Sequence, residues 1–363
     1  MKDRAWIATR KGLFPLHRSG KFWRVGAPSF LGDPVTMLLH DARDGTLYAA
    51  LNLGHFGVKL RRSEDGGTSW QDIAVPAYPP QEQAAADDKT PWKLVQIWSL
   101  EAGGRGEPGV LWAGTIPGGL FRSVDRGDSW TLVRGLWDRP ERLQWMGGGY
   151  DHPGIHSIIV DPRDSRHLTV GVSCGGVWQT MDGGDTWLVT ATGMRADFMP
   201  PELRDDPNVQ DPHRVVQCAA APEVLWSQHH CDIFRSDDGG ASWRATEGFA
   251  LSRFGFAVAP HPRDPQTAWF VPGVKDECRV PVDARLAVTR TRDGGRTFEA
   301  LRAGLPQAGC YDIVYRHGLE VDATGERLLM GSTTGGLWSS ADAGESWQTA
   351  GMNLPPILCL RFG

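Results

Sequence analysis

The sequence predicts an all-β protein, a seven-bladed β-propeller whose ring is closed by N- and C-terminal strands in one blade. Six copies of a short turn pattern, Ser/Thr-x-Asp-x-Gly-x-Ser/Thr-Trp/Phe, recur in order along the chain. The 45 Gly, 25 Pro and 16 Trp among 363 residues are typical of many short strands joined by turns. Strand-like stretches at both ends lack the turn pattern, and together they supply the seventh blade.

The repeated turns have a structural interpretation. In such a turn the Asp accepts backbone N–H groups, Gly adopts a positive φ, and the hydroxyls satisfy the remaining polar groups. The final aromatic residue is expected to pack into a neighbouring layer. The copies span Ser63–Trp70, Ser123–Trp130, Thr180–Trp187, Ser236–Trp243, Thr291–Phe298 and Ser340–Trp347. Because equivalent residues recur at each position, we interpret the six carboxylates as parts of the fold and not as catalytic groups.

The sequence around each turn predicts the blade. Alternating and small-residue strands precede the turn, as in Leu111–Ser123, and four strands per repeat make one propeller blade. A similar stretch without the turn pattern occurs at Trp6–Phe14, and Ile357–Phe362 has the pattern of a lone inner strand. We therefore expect a single domain over residues 1–363. Residues 1–30 plus 355–363 form the closing blade, and six blades lie within 31–354.

The repeated pattern resembles the Asp-box, or bacterial neuraminidase repeat, of sialidase-like and glycosyl-hydrolase-like β-propellers. The resemblance covers nearly the whole chain and implies the propeller fold and, by family, a glycosidase-like activity. The chain contains no Phe-Arg-Ile-Pro segment of the kind found in sialidases. The Asp-box turns lie away from the catalytic face of such propellers, so the resemblance implies a fold and not a particular substrate.

Charge and segment composition exclude several classes of partner. A formal net charge of -5 gives no overall attraction to nucleic acid or to anionic membranes. The N-terminus has no signal-peptide pattern and no later run is long enough to span a bilayer, so we expect a cytoplasmic protein. The six cysteines are scattered singly, which predicts reduced thiols.

One face of the predicted propeller gathers the long insertions, and this face is where binding and catalysis are expected. The insertions are residues 78–98, 132–156, 192–216 and 272–288, whereas the turns on the repeated-turn face are short. Neutral imidazole serves both as a metal ligand and as a general base. The predicted metal ligands on the insertion face are His55, His156, His213, His229 and His230. The alternative is that these histidines are solvated or bonded to nearby groups.

The same face also carries candidate catalytic and substrate-binding residues. A pair of carboxylates suits glycoside hydrolysis, and cations suit an acidic or phosphorylated ligand. The predicted catalytic residues are Asp151, His152 and Glu277. The predicted substrate-binding residues are Arg10, Tyr150, Arg195, Lys275, Arg279 and Tyr311.

These observations lead to two functional hypotheses. The first is an intracellular hydrolase or lyase, glycosidase-like by resemblance, that acts on a small polar or acidic, carbohydrate-like substrate at the mouth of the propeller. The sequence establishes no cofactor; the one candidate is a His-bound divalent metal, and without a metal the same histidines are acid–base candidates. The alternative is a non-catalytic binding or assembly propeller. The concentration of ionisable residues on one face favours an enzyme.

Overall fold

The computed structural model describes residues 3–84 and 87–363, and they form the predicted fold, a seven-bladed β-propeller of seven four-stranded sheets. Helices are short in this part of the chain: one α-helix, α1 (Arg134–Trp137), and 3-10 helices at Gly54–Phe56, Gln81–Gln83, Pro140–Gln144, Pro207–Val209 and Val282–Ala284. Within the described ranges, no helix is long and apolar enough to cross a membrane.

The chain divides into two compact units. Unit 1 comprises Met1–Val35, His213–Gly239 and Trp243–Gly363, and unit 2 comprises Thr36–Pro212 and Gly240–Ser242. The expectation of a single domain over residues 1–363 stays a prediction.

Unit 1 contains the blade that joins the two chain ends. Its strands are β1 (Arg4–Thr9), β2 (Gly12–Ser19), β3 (Phe22–Val25) and β28 (Ile357–Phe362), in the order β28-β1-β2-β3. The last strand pairs antiparallel with the first, with Ile7 opposite Leu360. The prediction that the terminal strands share one blade is therefore confirmed.

Three further blades of unit 1 have their strands in sequence order. The first contains β16 (Pro212–Cys218), β17 (Ala221–His229), β18 (Ile233–Ser236) and β19 (Arg244–Ala245). The second contains β20 (Gly255–Pro260), β21 (Ala268–Pro272), β22 (Val288–Thr291) and β23 (Glu299–Leu301). The third contains β24 (Leu319–Val321), β25 (Leu328–Gly331), β26 (Leu337–Ser340) and β27 (Gln348–Gly351).

Unit 2 holds the remaining three blades, and each again has its strands in sequence order. The first contains β4 (Val35–His40), β5 (Leu47–Asn52), β6 (Val58–Ser63) and β7 (Gln71–Ile73). The second contains β8 (Gln96–Ala102), β9 (Leu111–Ile116), β10 (Leu120–Ser123) and β11 (Thr131–Leu132). The third contains β12 (Ile155–Val160), β13 (Leu168–Val172), β14 (Gly176–Thr180) and β15 (Leu188–Val189).

Three tryptophans of the repeated turns, Trp187, Trp243 and Trp347, are buried, whereas Trp70 and Trp130 are partly buried. In unit 1, Trp347 lies in one apolar cluster with Trp269 and Trp338. In unit 2, Trp187 lies in a cluster with Trp112 and Trp178. Burying such large side chains removes much apolar surface from water, so these turns contribute to stability through packing as well as through hydrogen bonds.

The carboxylate of a repeated turn accepts hydrogen bonds from residues of the same turn, and Thr291–Phe298 is an example. The Asp293 carboxylate accepts hydrogen bonds from the Thr297 backbone N–H at 3.0 Å and the Thr297 hydroxyl at 2.6 Å. Burial acts to raise the pKa of Asp293, but hydrogen bonds from Thr297 and Thr291 outweigh it and lower the pKa to about 2. Both following residues, Gly294 and Gly295, have positive φ, which favours glycine there. These contacts confirm the predicted turn chemistry.

Candidate functional site

Ionisable and aromatic side chains of unit 1 converge on the buried ring of Phe256, near the start of β20. They come from the first residues of β16, the turn after β17, the loop between β21 and β22, and the segment before β24. We call this group the Phe256 cluster, and its members are His213, His230, Phe254, Phe256, Arg279, Tyr315 and Arg316.

His213 is held in a defined orientation within the Phe256 cluster. Its ring is buried and stacks on Phe256, with centroids 4.4 Å apart and an interplanar angle of 17°. Its Nδ1 lies 2.6 Å from the backbone oxygen of Gly255, an acceptor, so Nδ1 carries the proton and donates it. In the neutral ring, Nε2 is then the basic nitrogen. A backbone carbonyl that fixes the tautomer in this way is a common arrangement around acid–base and metal-binding histidines.

Two guanidinium groups pack on the same phenylalanine. The guanidinium carbons of Arg279 and Arg316 lie 5.2 and 5.5 Å from the centroid of the Phe256 ring. Arg279 donates from Nε to the Asp276 carboxylate at 3.0 Å and from Nη2 at 2.5 Å. Burial opposes the charged form of Arg279, but hydrogen bonds to Tyr315 and Asp276 outweigh it and raise its pKa. Arg279 is therefore a fixed cation at this site.

Aromatic edges complete the cluster. The ring of Tyr315 meets that of Phe256 edge-on at 4.6 Å, and Phe254 does so at 5.2 Å. The half-buried His230 ring lies 5.4 Å from His213 and 6.0 Å from Phe254. Aromatic rings prefer such tilted contacts because of their quadrupoles, and these contacts help to hold the imidazole rings in place.

A second carboxylate is fixed a few residues before Tyr315. Asp312 accepts hydrogen bonds from the Ser332 hydroxyl at 2.5 Å, from the Thr334 hydroxyl, and from the Cys310 thiol at 3.1 Å. Burial, together with this carboxylate, raises the pKa of the Cys310 thiol to about 11. Cys310 is therefore protonated near neutral pH and is a hydrogen-bond donor to Asp312, not a nucleophile.

The other predicted site residues of unit 1 lie outside these contacts. Glu277 is exposed and pairs with the exposed Lys275 at 3.3 Å. A backbone hydrogen bond and the Lys275 ammonium lower the pKa of Glu277, so it is an ionised carboxylate suited to act as a base and not as a proton donor. Tyr311 and Arg10 are exposed, and the Arg10 backbone N–H donates to the Pro356 carbonyl at 3.0 Å.

His229 is the last residue of β17, and not part of the following turn as the sequence had suggested. Its ring is buried against Phe234 at 5.2 Å, and its Nδ1 accepts the backbone N–H of Cys231 at 3.1 Å. This contact engages the nitrogen in closing the turn. Among the predicted metal ligands of unit 1, the structure therefore brings together the rings of His213 and His230, with His229 directed to a different neighbour.

In unit 2, the structure groups some of the predicted residues around Trp98 on β8. Tyr150 meets the Trp98 ring edge-on at 5.1 Å, and the buried His156 does so at 5.6 Å. The Nδ1 of His156 lies 2.9 Å from the Ser157 hydroxyl. Asp151 is exposed and His152 is half-buried, and both follow Tyr150 in the chain.

Two predicted residues of unit 2 have local contacts of their own. His55 is exposed in a 3-10 helix, where its ring packs on that of Phe56 at 3.9 Å. Arg195 is exposed and pairs with Asp197 at 2.8 Å and with Asp205 at 3.5 Å. Charge pairs on an exposed surface such as these contribute little to stability.

Sequence reasoning found His213, His230 and Arg279 but missed Phe256, Tyr315 and Arg316. Phe256 has the sequence pattern of an ordinary core residue in a strand. Because its partners are distant in sequence, no local pattern distinguishes it. Arg316 carries a recognisable signal, because an arginine within an apolar segment that enters an inner strand is unusual unless it is paired or functional.

No protein-family model matches the chain. Among characterised proteins, a xyloglucanase from Paenibacillus sp is 29% identical over 151 residues, which is 36% of this chain. The chain spans only 13% of the length of that relative.

Solved structures share the fold at low sequence identity. An ancestral GH74 enzyme superposes with a TM-score of 0.59 and 17% identity, covering 92% of this chain and 37% of that one. A structure of YCF48 bound to D1 peptide has a TM-score of 0.56 and 14% identity, covering 94% of this chain and 90% of that one. At these identities the likeness shows the β-propeller fold alone.

Proposed function

We propose that the protein is a glycosidase-like hydrolase that acts on a carbohydrate-like substrate bound at the Phe256 cluster. The observation that carries the proposal is an imidazole oriented by a backbone carbonyl beside two guanidinium groups, namely His213 with Arg279 and Arg316. Ionisable groups gathered from several blades at one ring are typical of functional sites. The partial similarity to a xyloglucanase supports the same class of reaction.

The residues of the cluster suggest a division of roles. His213 acts as the acid–base group through Nε2, because its Nδ1 is committed to the Gly255 carbonyl. Asp276 and Asp312 are the carboxylates of the neighbouring segments, and each accepts hydrogen bonds that fix its position. An ionised carboxylate suits the base or nucleophile of glycoside hydrolysis.

The catalytic assignment of Asp151, His152 and Glu277 stays a prediction. The cytoplasmic location also stays a prediction, as does the assignment to substrate binding of the exposed residues Arg10, Tyr150, Arg195, Lys275 and Tyr311. Alanine variants of Asp151, His152 and Glu277, measured in the assay below, test the catalytic assignment separately from the role of His213. Full activity in all three variants would remove these residues from the mechanism.

A divalent metal is a further part of the proposal. His213 and His230 offer two imidazoles whose rings lie 5.4 Å apart, and imidazole is a common ligand of zinc and other transition metals. Elemental analysis of untreated protein, repeated on a His230→Gln variant, tests this part. Stoichiometric metal that the variant loses would support it, and untreated protein without metal would contradict it.

The test of the main proposal is an activity screen with a matched control. Purified protein is incubated with neutral and uronate-containing oligosaccharides, including xyloglucan fragments, and new reducing ends are measured. We expect turnover to fall in His213→Gln but not in the control His17→Gln, because His17 is an exposed histidine on β2. An unsaturated product would assign a lyase reaction instead, and no turnover of any substrate would contradict the proposal.

A non-catalytic binding propeller is the second candidate. It is favoured by the engagement of Asp276 with Arg279 and of Asp312 with Ser332, which gives both carboxylates structural partners. YCF48 bound to D1 peptide also matches over most of both chains, in contrast to the much longer GH74 enzyme. Saturable binding of a glycan or peptide without any turnover would select this candidate.

A further inference from the structure

We infer that Arg279 and Arg316 form a binding site for an oxyanion, a carboxylate or phosphate group of the substrate. The inference deepens the proposed function, and it rests on that proposal only in assigning the oxyanion to a substrate. It names the substrate class as acidic, such as a uronate or a sugar phosphate.

The first argument is the convergence of two permanent cations on one ring. Both guanidinium carbons lie within 5.5 Å of the Phe256 centroid, although the two arginines are far apart in sequence. Guanidinium remains charged at any physiological pH, so these charges cannot be relieved by deprotonation. Asp276 already pairs with Arg279, and a bound oxyanion would add charge-assisted hydrogen bonds to both guanidinium groups.

The second argument is that Arg279 is held ready for a ligand. The Asp276 carboxylate accepts from Nε and Nη2 of Arg279, and the Asp276 backbone carbonyl also accepts from Nε. These contacts fix the plane of the guanidinium, while the side chain keeps 37% of its surface exposed. A ligand that arrives from solvent can therefore reach an oriented arginine, and less side-chain entropy is lost when it binds.

The third argument concerns the shape of the donors. The planar fork of arginine matches the paired oxygens of a carboxylate or phosphate and recognises them with charge-assisted hydrogen bonds. A neutral sugar would make hydrogen bonds here without the added strength of an ionised acceptor.

The test is binding, measured by titration calorimetry with a metal chelator present. The probes are inorganic phosphate, D-glucuronate and D-glucose, the last as a neutral control. The protein should bind at least one of the two anions and bind glucose more weakly. A preference for phosphate would indicate a phosphorylated ligand, and a preference for glucuronate a carboxylate. Binding of neither anion would overturn the inference.

Variants assign the binding to the cluster. Arg279→Gln should weaken anion binding by about tenfold or more, because a charge-assisted contact is lost. The anion affinity of Arg279→Lys should lie between those of Arg279→Gln and the unaltered protein, because lysine keeps the charge but lacks the planar fork. Arg285→Gln, an exposed arginine of the same loop, should bind as the unaltered protein does. Equal anion affinity in Arg279→Gln and the unaltered protein would overturn the inference, and this variant is decisive even if the more buried Arg316→Gln fails to fold.

The two proposals fail in different ways. Turnover of neutral oligosaccharides by a protein that binds neither anion would overturn the oxyanion site and leave the hydrolase proposal standing. If the protein bound an anion through Arg279 but turned over no substrate, the hydrolase proposal would be overturned and the oxyanion site would stand.

Discussion

The repeated turn Thr291–Phe298 and the Phe256 cluster lie in the same unit, yet they use polar residues in opposite ways. In the turn, Asp293 is bound by donors from its own turn, including Thr297 four positions away. In the cluster, His213 bonds to Gly255, which is 42 positions away, and packs beside arginines from two other segments. Polar residues that recur in successive blades form hydrogen bonds within their own turns, and polar residues that occur once are the candidates for function.

The largest effect is expected from removing the strand that joins the chain ends. Deleting residues 355–363 removes β28, whose Ile357, Cys359 and Leu360 are buried, and exposes the edge of β1. We expect aggregation or loss of cooperative unfolding, measured by size-exclusion chromatography and thermal melting. A synthetic peptide of residues 355–363 should restore folding. A soluble truncated protein with an unchanged melting temperature would contradict the assigned role of β28.

The second largest effect concerns activity and not folding. Replacing His213 with Gln removes the acid–base nitrogen while keeping a polar side chain of similar reach. Turnover should fall by about 100-fold or more, the usual contribution of a general acid–base group. The melting temperature of this variant should stay close to that of the unaltered protein. If turnover and stability fell together, His213 would belong with the structural residues of the repeated turns.

A smaller effect is expected from opening a repeated turn. Asp293→Ala leaves the N–H groups of Thr297 and Arg296 without their acceptor, which should lower the free energy of unfolding by about 1 to 3 kcal/mol. Chemical denaturation measures this change, with the exposed Glu326→Ala as the matched control. Activity per folded molecule should remain that of the unaltered protein. A large loss of activity would place function at the repeated turns.

The smallest effect is the pH dependence of that contribution. The pKa of Asp293 is lowered to about 2 from an ordinary value of 3.8, so its stabilising effect is complete above the ordinary value. The contribution is lost as the pH falls through the lowered value. The stability difference between the unaltered protein and Asp293→Asn should therefore shrink in acid melting experiments. A difference that stays constant down to pH 2 would show that the carboxylate charge is not what the turn binds.

The sequence predicted the fold far better than the site, for a physical reason. Turn residues such as Asp293 contact neighbours a few positions away, so their chemistry appears as a local pattern that the repeat multiplies. The pairing of β1 with β28 was also predictable, because an incomplete first blade needs an inner strand. Arg316 and Phe256 meet only after the chain has folded, and no spacing in the sequence encodes that distance.

For the same reason, proximity in sequence does not show which charged residues of one loop reach the Phe256 cluster. Glu277 and Lys275 are close in sequence and pair with each other at 3.3 Å, as exposed residues often do. Arg279, from the same loop, reaches the buried Phe256 ring instead. Composition alone places all three in one charged loop, and only the tertiary structure separates the arginine that enters the cluster from its neighbours.

The most direct measurement of the difference between turn and cluster is a paired comparison of Asp293→Ala and Arg279→Gln. Each protein is measured for stability by denaturation and for affinity toward phosphate and glucuronate by calorimetry. We expect Asp293→Ala to lose stability and retain anion affinity, and Arg279→Gln to lose about tenfold in anion affinity with little change in stability. If Arg279→Gln instead lost stability and kept its affinity, the Phe256 cluster would be a packing feature and not the functional site.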